Sequence, residues 1–323
     1  MSVRKQKKTS GIFLEQKDSR RLFLGTGVVV LLVAALIYFG AGAPDAPTSV
    51  TRDGAPAWSP DGQQIVYYSE VGGKPADLFV MDINGRTVRQ LTNTPEAEGY
   101  PAWSPDGRQI AFESHTPDGN FDVYVMNADG SNVRRLTREP KRDVGPAWSP
   151  DGLKIAFMSD RAGKEFNLYW MNADGSGVEQ LTSGETDWFP QFSPDGTRIA
   201  FHRWSDVHVL DLTARVPTRL TVDPDNGMYP SWSPDSSRIA FMSRRGGPTV
   251  IYTMNADGTN QEPLVRMTTG SAIDPRWSPN GAEIVFVHVP EEAASDAQAA
   301  SQSRVLYKVH VGTGVVERLG FPK

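Results

Sequence analysis

Four carboxylates recur at nearly constant spacing along the chain: Asp53, Glu98, Asp143 and Asp187, separated by 45, 45 and 44 residues. Each stands three residues before the first proline of a Pro-x-Trp/Phe-Ser-Pro segment. Two further copies of that segment carry Gly227 and Ala272 at the same place. Tyr100, Trp188, Phe189, Met228 and Tyr229 lie close by in sequence, with further acids at Glu96, Glu185, Asp225 and Asp274. Carboxylates gathered with aromatic anchors suit a basic protein segment or a cation such as Ca²⁺. The candidate site is therefore Asp53, Glu98, Tyr100, Asp143, Asp187, Trp188, Phe189 and Tyr229. The same acids also have an architectural use, since each could accept backbone N–H bonds and pin its loop.

Catalytic signatures are missing from the sequence. There is no G-x-S-x-G nucleophile elbow, no H-E-x-x-H zinc helix and no G-x-x-x-x-G-K-[ST] phosphate loop. The chain has no cysteine, which excludes a disulfide scaffold, a thiolate metal site and a cysteine nucleophile. Its five histidines, His115, His202, His208, His288 and His310, are scattered and read as strand or turn residues. The Asn-x-Asp-Gly turns lack the spacing and the closing glutamate of a calcium loop, and read as hairpin turns. No catalytic residue and no cofactor is expected.

The elements that must position these residues come from a repeat. Trp58-Ser59-Pro60-Asp61-Gly62 recurs at 103–107 and 148–152, then as Phe192-Ser193-Pro194-Asp195-Gly196. Looser copies follow at 232–236 and 277–281, so the spacings are 45, 45, 44, 40 and 45. Each copy precedes an apolar triplet such as Ile155-Ala156-Phe157, then a second apolar run such as Leu168-Tyr169-Trp170-Met171. Most units close on Leu-Thr, as at Leu181-Thr182. In Ser-Pro-Asp-Gly, proline presets φ and glycine supplies a positive φ, which is a type I turn into a bulged hairpin. Ile-Ala-Phe shows no alternation, so that strand is buried on both faces. Six units of 40–45 residues with four short strands each give an all-β, six-bladed propeller. The tryptophans are expected to fill the gaps between blades. The last repeat contains all four strands, so blade six should pack directly on blade one.

The pattern P-x-W-S-P-D-G-x-x-I-A-F, then M-N-A-D-G, then L-T, resembles the TolB-type propeller repeat over about residues 50–320. Blade three, residues 146–182, is the nearest copy. Phe192, Ser236 and Asn280 depart from the pattern, and the fourth repeat is shortened near residues 202–207. The resemblance is to the TolB propeller alone, not to the α/β domain that precedes it in TolB. Similar repeats also form the propeller beside the hydrolase domain of prolyl-oligopeptidase-type peptidases. The resemblance implies a propeller used for binding, with an enzyme of the hydrolase or lyase kind as the alternative.

Charge divides the chain unevenly. Residues 1–21 carry seven Lys/Arg against Glu15 and Asp18, whereas the formal net charge of the whole is −5. The acidic body argues against nucleic-acid binding. Residues 22–43 carry no charge and are apolar throughout 28–39, long enough for a transmembrane helix. The basic head before it places the N-terminus in the cytoplasm and the propeller outside. Ala41-Gly42-Ala43 has the form of a signal-peptidase site, but Pro44 follows it, which favours a retained anchor. Ser19-Arg20-Arg21-Leu22-Phe23-Leu24 also has the form of a twin-arginine export signal. The organisation expected is a basic head (1–21), a membrane helix (22–43), a linker (44–52) and a propeller (53–323). The protein would be a monomeric, single-pass membrane protein that binds an envelope protein or a peptide segment.

Overall fold

The computed structural model of the chain describes residues 51–222, 227–245, 247–291 and 303–320. The expected basic head and membrane helix, Asp225 and the Ala/Ser-rich stretch 292–302 of the last repeat lie outside them. Among the described residues no helix is long and apolar enough to cross a membrane.

Twenty-four strands form six sheets of four. Blade one is β1 (Thr51–Trp58), β2 (Gln64–Val71), β3 (Asp77–Asp82) and β4 (Val88–Gln90). Blade two is β5 (Glu98–Trp103), β6 (Gln109–His115), β7 (Phe121–Asn127) and β8 (Arg134–Arg135). Blade three is β9 (Asp143–Trp148), β10 (Lys154–Ser159), β11 (Asn167–Asn172) and β12 (Glu179–Gln180). Blade four is β13 (Asp187–Phe192), β14 (Arg198–Arg203), β15 (Asp206–Asp211) and β16 (Pro217–Arg219). Blade five is β17 (Met228–Trp232), β18 (Arg238–Ser243), β19 (Val250–Asn255) and β20 (Glu262–Val265). Blade six is β21 (Ser271–Trp277), β22 (Glu283–Val289), β23 (Val305–His310) and β24 (Val316–Arg318). In every sheet the strands pair in chain order, and the first strand of each blade lines the central channel.

The turn chemistry accounts for the first hairpin of each blade. The Ser59 hydroxyl donates to Asp61 Oδ1 at 2.6 Å and accepts the Gln64 N–H at 2.9 Å, while Gly62 takes φ 69°. In blade five Ser236 adopts the same left-handed backbone, φ 59°, without being glycine. The second strands are buried on both faces, as the unalternating triplet implies: Phe157, Phe201, Phe241 and Phe286 have no exposure and Phe112 only 2%. Each stacks on an aromatic ring of the third strand, as Phe157 does on Tyr169 at 5.9 Å. One apolar cluster fills each junction between neighbouring blades. The indole of Trp58 reaches across to blade six and donates to the Arg276 carbonyl at 3.0 Å, and Trp232 reaches the Gln191 carbonyl of blade four at 3.2 Å.

Blade six packs directly on blade one. Trp58, Ile65, Tyr67 and Met81 meet Val285, Val287, Leu306 and Leu319. The start of β1 adds a short parallel bridge, in which the Asp53 N–H donates to the Arg304 carbonyl (3.2 Å) and the Arg304 N–H to that of Thr51 (2.9 Å). The first strand thus begins at Thr51, within the stretch expected to be linker.

The channel-lining strands share a feature that sets the site. Each contains the proline of Pro-x-Trp/Phe, which has no N–H to give the ladder, and each breaks register there with a bulge. The residue before the proline takes a left-handed backbone in all six blades: Ala55, Tyr100, Gly145, Phe189, Tyr229 and Asp274, with φ between 45° and 61°. A non-glycine residue there is strained by about 1–2 kcal/mol, and the bulge turns its side chain into the channel. Alternation alone reads these positions as loop.

Candidate functional site

The four recurrent carboxylates lie in strands rather than in the connecting loops. Glu98, Asp143 and Asp187 open β5, β9 and β13, and Asp53 is third in β1. Asp53, Asp143 and Asp187 are engaged within their own blades, and Glu98 by the segment that joins blade one to blade two. Arg161 Nη2 donates to both oxygens of the wholly buried Asp143, at 2.8 and 2.7 Å, while its guanidinium lies over Phe157 and Tyr169. Arg203 forks onto the equally buried Asp187, Nε to Oδ1 at 2.7 Å and Nη2 to Oδ2 at 3.0 Å. In blades one and two hydroxyls replace the arginine. Ser69 donates to Asp53 at 2.7 Å, and Thr92 (3.0 Å) and Thr94 donate to Glu98. Burial pushes the Asp53 carboxyl up to about 6, against the opposing Ser69 hydrogen bond and Arg318 charge, and that of Glu98 up to about 7. Blade five has no room for an acid, because a Cβ at Gly227 would lie 2.8 Å from Thr221 Oγ1 and 2.9 Å from Val207 Cγ2.

The aromatic half of the candidate set converges on the channel. Phe189 stacks on Tyr229 at 4.5 Å and lies 4.6 Å from Tyr100, so blades two, four and five meet at the axis. The Tyr100 and Tyr229 hydroxyls are hydrogen-bonded to each other, and burial pushes the Tyr229 phenol up to about 12. Two residues missed in the sequence complete this layer. Tyr68 lies 6.1 Å from Tyr100, over Gly54, where a Cβ would come within 2.2 Å of its ring. His202 lies 5.4 Å from Tyr229 and accepts its backbone N–H at 3.3 Å. Burial lowers this imidazole to about 3, so it is neutral at physiological pH. Trp188 packs 4.7 Å from Phe166 and stacks on Phe189 at 6.3 Å. The sequence signal for this layer was the residue before each repeat proline, where Ala, Tyr, Gly, Phe, Tyr and Asp occur in turn.

Below the aromatic layer, at the Trp-Ser-Pro end, the channel opens into a funnel of about 280 Å³. Its wall is the Pro-x-Trp/Phe segments of the blades, and Ala55, Tyr100, Gly145 and Phe189 belong to its inner end. The middle residue of each segment faces inward: Ala57, Ala102 and Ala147 on one side, Gln191, Ser231 and Arg276 on the other. Arg276 Nη2 lies 2.9 Å from Oδ1 of the buried Asp274, and Nη1 donates to the Pro275 carbonyl at 2.9 Å. The Ala55 N–H also donates to Asp274, whose carboxyl burial raises above the usual range. The tryptophans, expected only as packing between blades, are thus also the walls of a cavity.

The histidines do not form a site. His208 stacks on Phe201, His288 contacts the Thr269 carbonyl at 2.9 Å and His115 lies against Phe121. Among the described residues no three of His, Asp and Glu are grouped as metal ligands would be.

A ring of repeat blades around a plugged channel with one open funnel defines a β-propeller of the binding or catalytic kind. The profile of the TolB beta propeller domain matches residues 55–205 and 187–313, and the chain belongs to that family. Among solved structures it is similar to TolB from Acinetobacter baumannii, with 26% identity and a TM-score of 0.61 over 70% of this chain. The chain spans 57% of the length of that TolB. A TolB-type structure from Agrobacterium tumefaciens matches over 74% of this chain and 86% of its own, with 24% identity and a TM-score of 0.64. An oligogalacturonate lyase in complex with manganese shares the fold at 15% identity and a TM-score of 0.57, over 85% of this chain and 79% of its own. No curated protein matches the chain.

Proposed function

We propose that this propeller is a protein-binding module of the cell envelope, held at the outer face of a membrane by residues 22–43, and that its funnel receives a segment of a partner protein. The funnel carries this reading: an aromatic and proline-lined cavity of about 280 Å³, open at one end. Rigid aromatic walls supply contact area with little loss of side-chain freedom. The family, with TolB among the similar structures, supports a binding role. The apolar run at 28–39 and the basic head support the anchor.

The acid-bearing end is the weaker contact surface in this reading. A basic segment or Ca²⁺ would have to displace Arg161 and Arg203 from Asp143 and Asp187. Tyr100, Phe189 and Tyr229 are spent on one another across the channel. The lyase supports an enzyme reading by fold alone.

A photoreactive amino acid at Ala102 or Ala147, inside the funnel, tests the reading in intact cells. The same group at Leu153, exposed just after the blade-three Ser-Pro-Asp-Gly turn and outside the funnel lining, is the control. A discrete crosslinked band from the funnel positions alone is expected. Equal labelling from Leu153, or none from the funnel, would sink it.

A further inference from the structure

The funnel is chemically lopsided. Among the described residues that line it, Arg276 alone is charged. The equivalent residues in blades one to three are alanine, and those of blades four and five are Gln191 and Ser231. An arginine at this one position breaks the repeat where a small residue would serve packing.

Asp274 behind it does not use up the guanidinium. The contact at 2.9 Å is a charge pair without the alignment of a hydrogen bond, and it leaves Asp274 Oδ1 without a donor. An arginine has five N–H donors, and the two contacts in the structure engage Nη1 and Nη2 once each. The pair and the Pro275 carbonyl hold the group in place and leave donors over. Its side chain is only 13% exposed, so a charge brought to it would be largely removed from water, where a charge-assisted bond is strongest.

The shape of the cavity limits what can bring that charge. Tyr100, Phe189 and Tyr229 close the channel behind it, so nothing threads through. The funnel, about 280 Å³ and open at one end only, suits a chain end that enters and stops inside it.

Resting on the funnel as the binding site, we infer that its occupant is the carboxy-terminal end of a polypeptide, with the free α-carboxylate on Arg276 and the last apolar side chain against Ala57, Ala102 and Ala147. Capture of a chain terminus by positioned donors is a general mode of peptide recognition.

The test is calorimetric titration of the solubilised full chain with acetyl-Ala-Phe and its carboxamide. The free acid is expected to bind at least tenfold more tightly. The pair substitution Asp274→Asn with Arg276→Gln keeps a polar couple of similar size, and asparagine tolerates the left-handed backbone. It should bring the ratio close to one, with the melting temperature recording that the fold is kept. Ala102→Phe, which fills the cavity, should abolish binding of both probes. Equal affinity for acid and amide would overturn the carboxylate and leave the funnel standing. Absence of binding by either probe, or binding indifferent to Ala102→Phe, would overturn both.

Discussion

Phe189 of blade four lies at van der Waals distance from the Cβ position that Gly145 of blade three leaves bare. A Cβ on Gly145 would lie 3.6 Å from Phe189 Cδ1 and only 2.8 Å from Met158 Cε. The left-handed backbone of Gly145, φ 61°, adds a second reason for glycine. Gly145→Ala should therefore destabilise by about 1–2 kcal/mol through backbone strain, with a smaller addition for displacing the Met158 methyl. Gly73 has a similar φ of 76° with nothing within 4 Å of a built Cβ. Gly73→Ala should show only the first effect. Urea unfolding of both variants measures the difference, and equal losses would mean that the Met158 methyl moves aside without cost.

The recurrent acids should separate into two kinds. Asp143→Asn strips the charge from the partner of Arg161 in a buried pair, and broken buried pairs cost about 3–5 kcal/mol. Arg161 keeps 17% exposure, which places the loss near the lower end. Glu98→Gln keeps an acceptor for Thr92 and removes a carboxyl that burial already disfavours as an anion. A change below about 1 kcal/mol is expected for it. Ca²⁺ should leave the unfolding midpoint of the wild-type protein unchanged. A Ca²⁺-dependent rise abolished by Asp143→Asn would instead restore the acidic end as a cation site.

The blades were legible because each is written six times, and a turn with a fixed hydroxyl, proline and glycine leaves little freedom. The recurrent acids were legible as a set for the same reason. Their partners were not, since Arg161 and Arg203 serve only blades three and four and lie 18 and 16 residues from their carboxylates. The aromatic plug was half legible. Tyr100, Phe189 and Tyr229 stand beside the motif, but their inward aim depends on a bulge that only the proline inside the strand betrays. Tyr68 and His202 come from second strands, where sequence pattern gives burial without direction.

Stability should fall as pH rises through neutrality. Burial raises Glu98 and Glu113 to about 7 and Asp53 to about 6. For carboxyls raised above their unfolded values, the contribution is fully present below pH ~4.5 and is lost as pH passes through 6 to 7. His202 has the opposite sign: held near 3, its contribution is present above pH ~6.5 and lost as pH falls. Melting temperatures of wild type should drop between pH 6 and 8. The drop should shrink in Glu98→Gln with Glu113→Gln, whose amide still accepts the Gly145 N–H now received by Glu113 Oε2 at 2.8 Å. An unchanged slope in the double variant would show that these carboxyls are not the titrating groups.

Closure of the ring should depend on blade six as a unit. Each sheet holds four consecutive strands, so the junction with blade one relies on packing and on the short bridge at Arg304. Removing residues 275–323 would uncover Trp58, Ile65 and Tyr67 on blade one and Ala240 and Ile251 on blade five. Such apolar blade faces associate when unpaired. The truncated chain should aggregate and unfold without a cooperative transition. The fragment 47–323 should remain soluble and melt in one step, because its core lies wholly within the six blades. Sedimentation and calorimetry of the two proteins decide the matter. A soluble, cooperatively melting five-blade fragment would show that the blades hold one another too weakly for the closed ring to set the stability.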